Sequence, residues 1–260
     1  MRKYSFSALL LFIVSAVFRI LGIFFSHTSV YTTLFYISFL LGLILEGIEC
    51  FSEKEYARVF SDKNDKRLKF FALMAAVGMF IDFVSSAVGV YSCFFSRSDT
   101  ALRTVLEVLL CLFALLSCIA MALCAVSFSD SGGYDFSKLG AFNSAPFVWL
   151  LVKCTIGLTD VFTIKDVDLA LMYLAVVFGL GAFYCFAYES QSKAGAKSFC
   201  VFCFNSFSAC VGICSLGRIF SVARGACAVD DENSFFILSL LLSASFVYSL
   251  GRNALKNSAY

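Results

Sequence analysis

Four charged residues stand inside long apolar runs, and any chemistry this chain performs would start from them: Arg19, Asp82, Asp160 and Arg218. An ionised side chain at the centre of a membrane span costs about 2.5–3.5 kcal/mol on insertion scales, so one that is retained tends to face the protein interior or water. The two bases and two acids balance in sign. Brought together, they would line a polar cavity near mid-membrane, with Arg19 or Arg218 holding an anionic group and Asp82 or Asp160 holding a cation or carrying a proton. Glu107, at the start of the run after that of Asp82, could join them. Tyr36 and Tyr173, at comparable places early in two other runs, could add hydroxyls to the same pathway. The bland alternative is that Arg19 and Arg218 snorkel to the headgroups while Asp82 pairs with one of them as a structural lock. Asp82 is the strongest functional candidate, because a short carboxylate deep in a span cannot reach an interface.

Other reactive groups offer less. Lys153, about two turns inside its run, is expected to reach the headgroups, and Glu46 and Glu49 are expected to be interfacial residues rather than gates. Cys200 and Cys203 form a CxxC without a second ligand pair or a βαβ setting. That spacing reads as chance among twelve cysteines, most of which lie in apolar runs and pack as small hydrophobes. Cys93 and Cys227 fall near the same ends of their runs, where a disulfide could form in an oxidising compartment. His27 is the only histidine, which excludes a His-rich metal site, and no HExxH, Walker or glycine-rich dinucleotide motif is present. No cofactor is expected.

The elements that must position these residues are membrane helices. The chain is 60% hydrophobic and 15% charged, with a mean hydropathy of +0.88, against roughly 45–50% apolar and ~25% charged usage in soluble domains. A soluble globule would leave so much apolar surface in aggregating patches. Stretches long enough to cross a bilayer, about 20 residues each, are expected near 7–25, 30–48, 70–95, 104–128, 147–164, 169–188, 199–222 and 234–250. The runs are continuously apolar rather than alternating, which favours helices over barrel strands. The fold class is therefore all-α, a polytopic membrane bundle of about eight helices. The basic start, Arg2 and Lys3, resembles the flank of a signal peptide, but the following run is too long and contains Arg19, so it reads as an uncleaved first span.

Orientation follows from the basic residues. With the N-terminus inside, thirteen Lys and Arg fall in inner segments and only Arg97, Arg103, Lys165 and Arg224 in outer ones. That bias places both termini on the cytoplasmic side of the plasma membrane. The charged inner connection 52–69 reads either as a surface helix on anionic headgroups or as a solvated loop, and it is the natural docking surface for a protein partner. The whole chain reads as one transmembrane domain, with halves 1–128 and 146–260 joined by a cytoplasmic loop, 129–145, which runs up to Pro146 in the first turn of the fifth span.

Aligned on their charges, the odd-numbered runs share a short pattern: a small residue, Ser15, Gly78, Gly157 or Ser215, precedes Arg19, Asp82, Asp160 or Arg218, and apolar residues follow. Each run then returns through an uninterrupted apolar helix, so the chain reads as four tandem helical hairpins, related by an axis along the membrane normal if the pattern is a true repeat. Buried ionisable groups without a soluble catalytic domain favour a small-solute permease, or the membrane-embedded substrate-binding subunit of a transporter, for a small polar or charged solute. The alternatives are a non-transporting sensor, assembly factor or partner-binding protein, and a lipid-modifying intramembrane enzyme using Asp82 or Asp160 with Glu107. Membrane lipids are the expected surroundings; a net charge of +2 with no basic stripe argues against nucleic acid.

Overall fold

The computed structural model describes residues 3–25, 28–52, 56, 59–60, 65–95, 101–128, 140, 142–160, 167–191, 196–225 and 232–257, and these are helical apart from short turns and connections. Among the described residues eight helices follow one another: α1 (Lys3–Phe24), α2 (Thr28–Ser52), α3 (Lys66–Phe95), α4 (Ala101–Ser127), α5 (Ala145–Asp160), α6 (Val167–Gln191), α7 (Ser198–Ala223) and α8 (Glu232–Asn257). They match the eight expected spans in order. Seven are long and apolar enough to cross a membrane, and the protein is a multi-pass membrane protein. The exception is α5: its 16 residues rise only about 24 Å at 1.5 Å per residue, short of a ~30 Å hydrocarbon layer.

Helix is the conformation these runs must take in lipid, because each backbone N–H and C=O finds its partner within the segment. Local signals set the ends. Asp65 caps α3, its Oδ1 accepting from the N–H of Arg67 at 2.9 Å and of Leu68 at 3.3 Å. Pro146 lies in the first turn of α5, where its missing N–H costs nothing. α7 stops where Gly225 takes a left-handed φ of 73° and donates its N–H to the Val222 carbonyl at 2.9 Å.

Packing arranges α3 to α8 as a ring: α3 lies on α4, α4 on α5, α5 on α6, α6 on α7, α7 on α8, and α8 back on α3. The α1–α2 hairpin stands outside the ring and docks on α7, with Phe24 edge-on to Phe220 at 5.9 Å. Four hairpins around one axis are thus not the packing; three form the ring and the first is an appendage. Within the ring, α5 leans more on α4 than on its hairpin partner α6. Outward faces such as Ile37, Leu40, Ile44 and Ile48 of α2 are exposed, as suits lipid. Aromatic side chains fill the middle: Trp149 of α5 meets Phe183 of α6 and, across the ring, Phe236 of α8 at 6.2 Å, while Phe186 of α6 meets Phe246 of α8 at 5.6 Å.

The α3–α8 seam depends on a glycine. A Cβ at Gly78 would stand 2.9 Å from the Ser239 carbonyl oxygen and 3.0 Å from the Leu242 Cβ, so the two backbones touch there, as small residues permit in membrane helices. Gly78→Val is expected to destabilise the protein by about 1–3 kcal/mol through overpacking, seen as a lower midpoint of thermal unfolding in detergent. Gly212→Ala, where a Cβ meets nothing within 4 Å, should leave that midpoint unchanged or raise it slightly, because alanine is the better helix former.

The connection between α2 and α3 is neither a surface helix nor a free loop where it is described. Tyr56 and Val59 are buried; the Tyr56 hydroxyl donates to the Cys50 carbonyl at 3.1 Å and its backbone N–H to the Ala196 carbonyl at 3.1 Å. Phe60 stacks on Phe128 of the segment after α4 and meets Phe186 of α6 edge-on. Those anchors tie the segment to the end of the bundle that carries the termini. Its charged residues 53–55 and 61–64, and the 129–139 part of the mid-chain loop, lie outside the described residues.

Candidate functional site

Asp82 lies in the middle of α3 and is 1% exposed. Its carboxylate is held from across the ring by two residues of α5. The Trp149 indole Nε1–H donates to Oδ2 at 2.6 Å, and the Lys153 ammonium lies 3.9 Å from Oδ1. Trp149 and Lys153 are four apart, so they share one face of the helix. Lys153 also stands 4.8 Å above the centre of the Phe236 ring, a cation–π distance. The site is therefore an anion fixed by an indole, a cation beside it, and an aromatic wall from α8.

Buried hydroxyls lie along the same two helices, α3 and α8. Ser86 follows Asp82 by one turn of α3, and Ser239 and Ser243 lie on the buried face of α8, with Ser239 against Gly78. Their Oγ atoms are buried with no hydrogen-bond partner among the described residues. Helical serines usually bond back to the preceding turn, as Ser117 does to the Phe113 carbonyl, so these three leave polar capacity unused inside the bundle.

The other candidates are placed elsewhere. Arg218 of α7 donates from Nε to Ser234 Oγ of α8 at 3.0 Å. Arg19 is on α1, whose packing partners are α2 and α7. Neither supplies the contacts made to Asp82. The backbone of Asp160 ends α5, but its side chain lies outside the described residues. Glu107 bonds to Arg103 of its own helix at 3.1 Å and lies against Gly89, about 10 Å along α3 from Asp82 at 1.5 Å per residue. Tyr36 is 37% exposed on α2 and packs on Phe35, while the Tyr173 ring covers Gly157 between α6 and α5. Cys227, and with it any disulfide it could form with Cys93, lies outside the described residues.

Two expectations need correcting. Lys153 turns inward, its ammonium 3.9 Å from Asp82 Oδ1 and over the Phe236 ring, rather than to the headgroups. The turn just before α5 holds Asn143, which is fully buried and donates to Ser190 Oγ of α6 at 2.9 Å. Glu46 and Glu49 are buried as well; Glu46 Oε1 accepts from Asn205 Nδ2 of α7 at 2.6 Å and from the Cys50 thiol at 3.5 Å, which fastens the outer hairpin to the ring. Sequence reasoning passes over Trp149. Its signal is the chain's single tryptophan placed four residues before Lys153, since a buried indole needs an acceptor for its N–H. An open groove of ≈ 650 Å³ lies elsewhere, lined by Ser144, Phe147, Tyr184, Tyr188 and Gln191, and does not include the Asp82 cluster. The chain matches no protein-family model, no curated protein and no solved structure.

Proposed function

We propose that this protein is a small ion-coupled permease of the plasma membrane, with cytoplasmic termini, that moves a small polar or charged solute and uses Asp82 and Lys153 as its coupling pair. The observation that carries this reading is the unequal hold on the two ions. Trp149 fixes the carboxylate at 2.6 Å, while the ammonium stands at 3.9 Å, beyond the ~2.7–2.9 Å of a charge-assisted hydrogen bond. A pair kept only to lock helices should be short and fully bonded, since the desolvation of both ions has to be offset. A cation shared between a carboxylate and the Phe236 ring can change partners at small cost, which is what coupling requires when a proton or an anion arrives. The unused hydroxyls of Ser86, Ser239 and Ser243 support it as acceptors for water or solute, and the basic inner segments support the orientation.

The aromatic filling of the ring favours a second reading, a non-transporting sensor, assembly or partner-binding protein in which the pair fixes helix positions. Proteoliposomes under a proton gradient separate the two, with labelled amino acids and short carboxylic acids as probes. Wild type should accumulate at least one probe, and Asp82→Asn, which keeps an acceptor for Trp149, should abolish that uptake while leaving folded yield in detergent largely intact. Uptake no greater than in protein-free vesicles, with folded yield collapsing in Asp82→Asn, overturns the permease reading in favour of the second.

A further inference from the structure

The ring is thinly closed between α5 and α6. α5 leans more on α4 than on α6, and the start of α5 and the end of α6 border the open groove of ≈ 650 Å³, a size within the roughly 300–1,000 Å³ of ligand clefts. Tyr184, Tyr188 and Gln191 line it from α6, and their spacing of four and then three residues puts them on one helix face. Phe147 and Val148 line it from α5, and the Phe147 ring meets the Tyr184 ring edge-on at 6.3 Å. Tyr184 and Tyr188 are 57% and 42% exposed, so this face opens outward, where lipid is the solvent.

Polarity changes along the groove. α6 runs toward the end of the bundle that carries the termini, so Tyr184 lies deeper and Gln191 stands at the mouth, the limit of the apolar stretch Ala170–Gln191. The Gln191 amide lies there against Gly140, where a Cβ would stand 3.0 Å from Nε2. Lys197, an exposed residue just before α7, holds its ammonium 4.9 Å from the centre of the Tyr188 ring, a cation–π distance. The connection 192–197 carries Lys193 and Lys197 and no acid. Apolar walls, then tyrosines, then an amide and a cation follow the order of acyl chain, interface and headgroup in a bilayer leaflet.

We propose that this groove is a binding site for one anionic phospholipid, its acyl chain along Phe147, Val148 and Tyr184 and its headgroup phosphate beside Lys197. The cation selects a net-negative headgroup, as basic pockets between membrane helices do on the cytoplasmic side. A bound lipid would also complete the thin α5–α6 seam. The choice of the inner leaflet rests on the orientation proposed above, but the site itself does not, and it is independent of whether the protein transports.

The full chain carrying the photoreactive replacement Tyr184→p-benzoylphenylalanine, in nanodiscs of equimolar phosphatidylglycerol and phosphatidylcholine, tests this by intact mass after illumination. The same probe at Ile44, 56% exposed on the outward face of α2, reports bulk lipid. Adducts at position 184 should favour phosphatidylglycerol by about fivefold over those at position 44, the ratio that one basic residue near the surface supports. Lys197→Gln, a change at an exposed position, should bring the ratio at 184 down to that at 44. Ala187→Trp, which fills the groove from α6 and alters no charge, should do the same. Equal ratios at the two positions in the otherwise unchanged chain, a preference that survives Lys197→Gln, or adducts to a second copy or within the same chain in place of lipid, overturn the proposal. If Ala187→Trp fails to fold, the Lys197→Gln comparison decides it.

Discussion

Trp149→Ala is expected to destabilise this protein by about 3–5 kcal/mol or more, the range for emptying the volume of a large aromatic core residue. Trp149 is fully buried and contacts residues from three other helices: Asp82 of α3, Phe183 of α6 and Phe236 of α8. Removing it opens a cavity inside the ring that the facing rings cannot close without moving their backbones. It also takes the indole donor from a carboxylate that is 1% exposed. The two losses separate in Trp149→Phe, which keeps most of the aromatic volume and removes only the N–H; that variant should lose about 1–3 kcal/mol, the cost of leaving a buried acceptor unsatisfied. Unfolding in a graded detergent series should therefore rank wild type above Trp149→Phe and Trp149→Phe above Trp149→Ala. Equal midpoints for wild type and Trp149→Phe would show that the indole N–H contributes nothing to holding Asp82.

Seven of the eight helices are legible in the amino-acid sequence because lipid imposes length and apolarity on anything that crosses it, and their runs satisfy both; α5, at 16 residues, is legible by its apolarity alone. Asp82 is legible for a related reason: a carboxylate in such a run is costly wherever it points. Its partners are a different matter. Pairing depends on which helices become neighbours, and α3 reaches α5 across a ring whose closure by the α3–α8 contact has no local signature. The pattern around Arg19, Asp82, Asp160 and Arg218 invites a shared cavity, yet Arg19 stands on the hairpin outside the ring and Arg218 bonds to Ser234. Lys153 misleads for a geometric reason. Its distance from the start of α5 says how far along the helix it lies, not which way it turns, and the carboxylate and ring that draw it inward come from α3 and α8.

The second large effect is expected at Asp82 and Lys153 themselves, and it discriminates between a pair that is needed and one that is merely compatible with folding. Asp82→Ala strands the Trp149 N–H and leaves a half-buried ammonium beside an apolar wall. Removing one partner of a buried pair typically costs about 3–5 kcal/mol. Asp82→Asn should cost less, because the amide oxygen can still accept from Trp149 and Lys153, at 23% side-chain exposure, retains a route to polar surroundings. Lys153→Met leaves a carboxylate that the Trp149 indole still holds at 2.6 Å, so its cost should also fall below that of Asp82→Ala. The double replacement Asp82→Ala with Lys153→Met removes both charges and both desolvation costs, and it should recover most of the stability lost in Asp82→Ala, with a coupling energy within the range of about 0.5–3 kcal/mol seen for contacting residues. The cycle is read from unfolding midpoints of the four proteins in one detergent. Additive losses would mean that the two ions do not sense each other at 3.9 Å. Recovery of stability in the double variant, with uptake still absent, would separate the two roles: the fold tolerates an apolar pair at this position, and the charges are retained for what they do during transport.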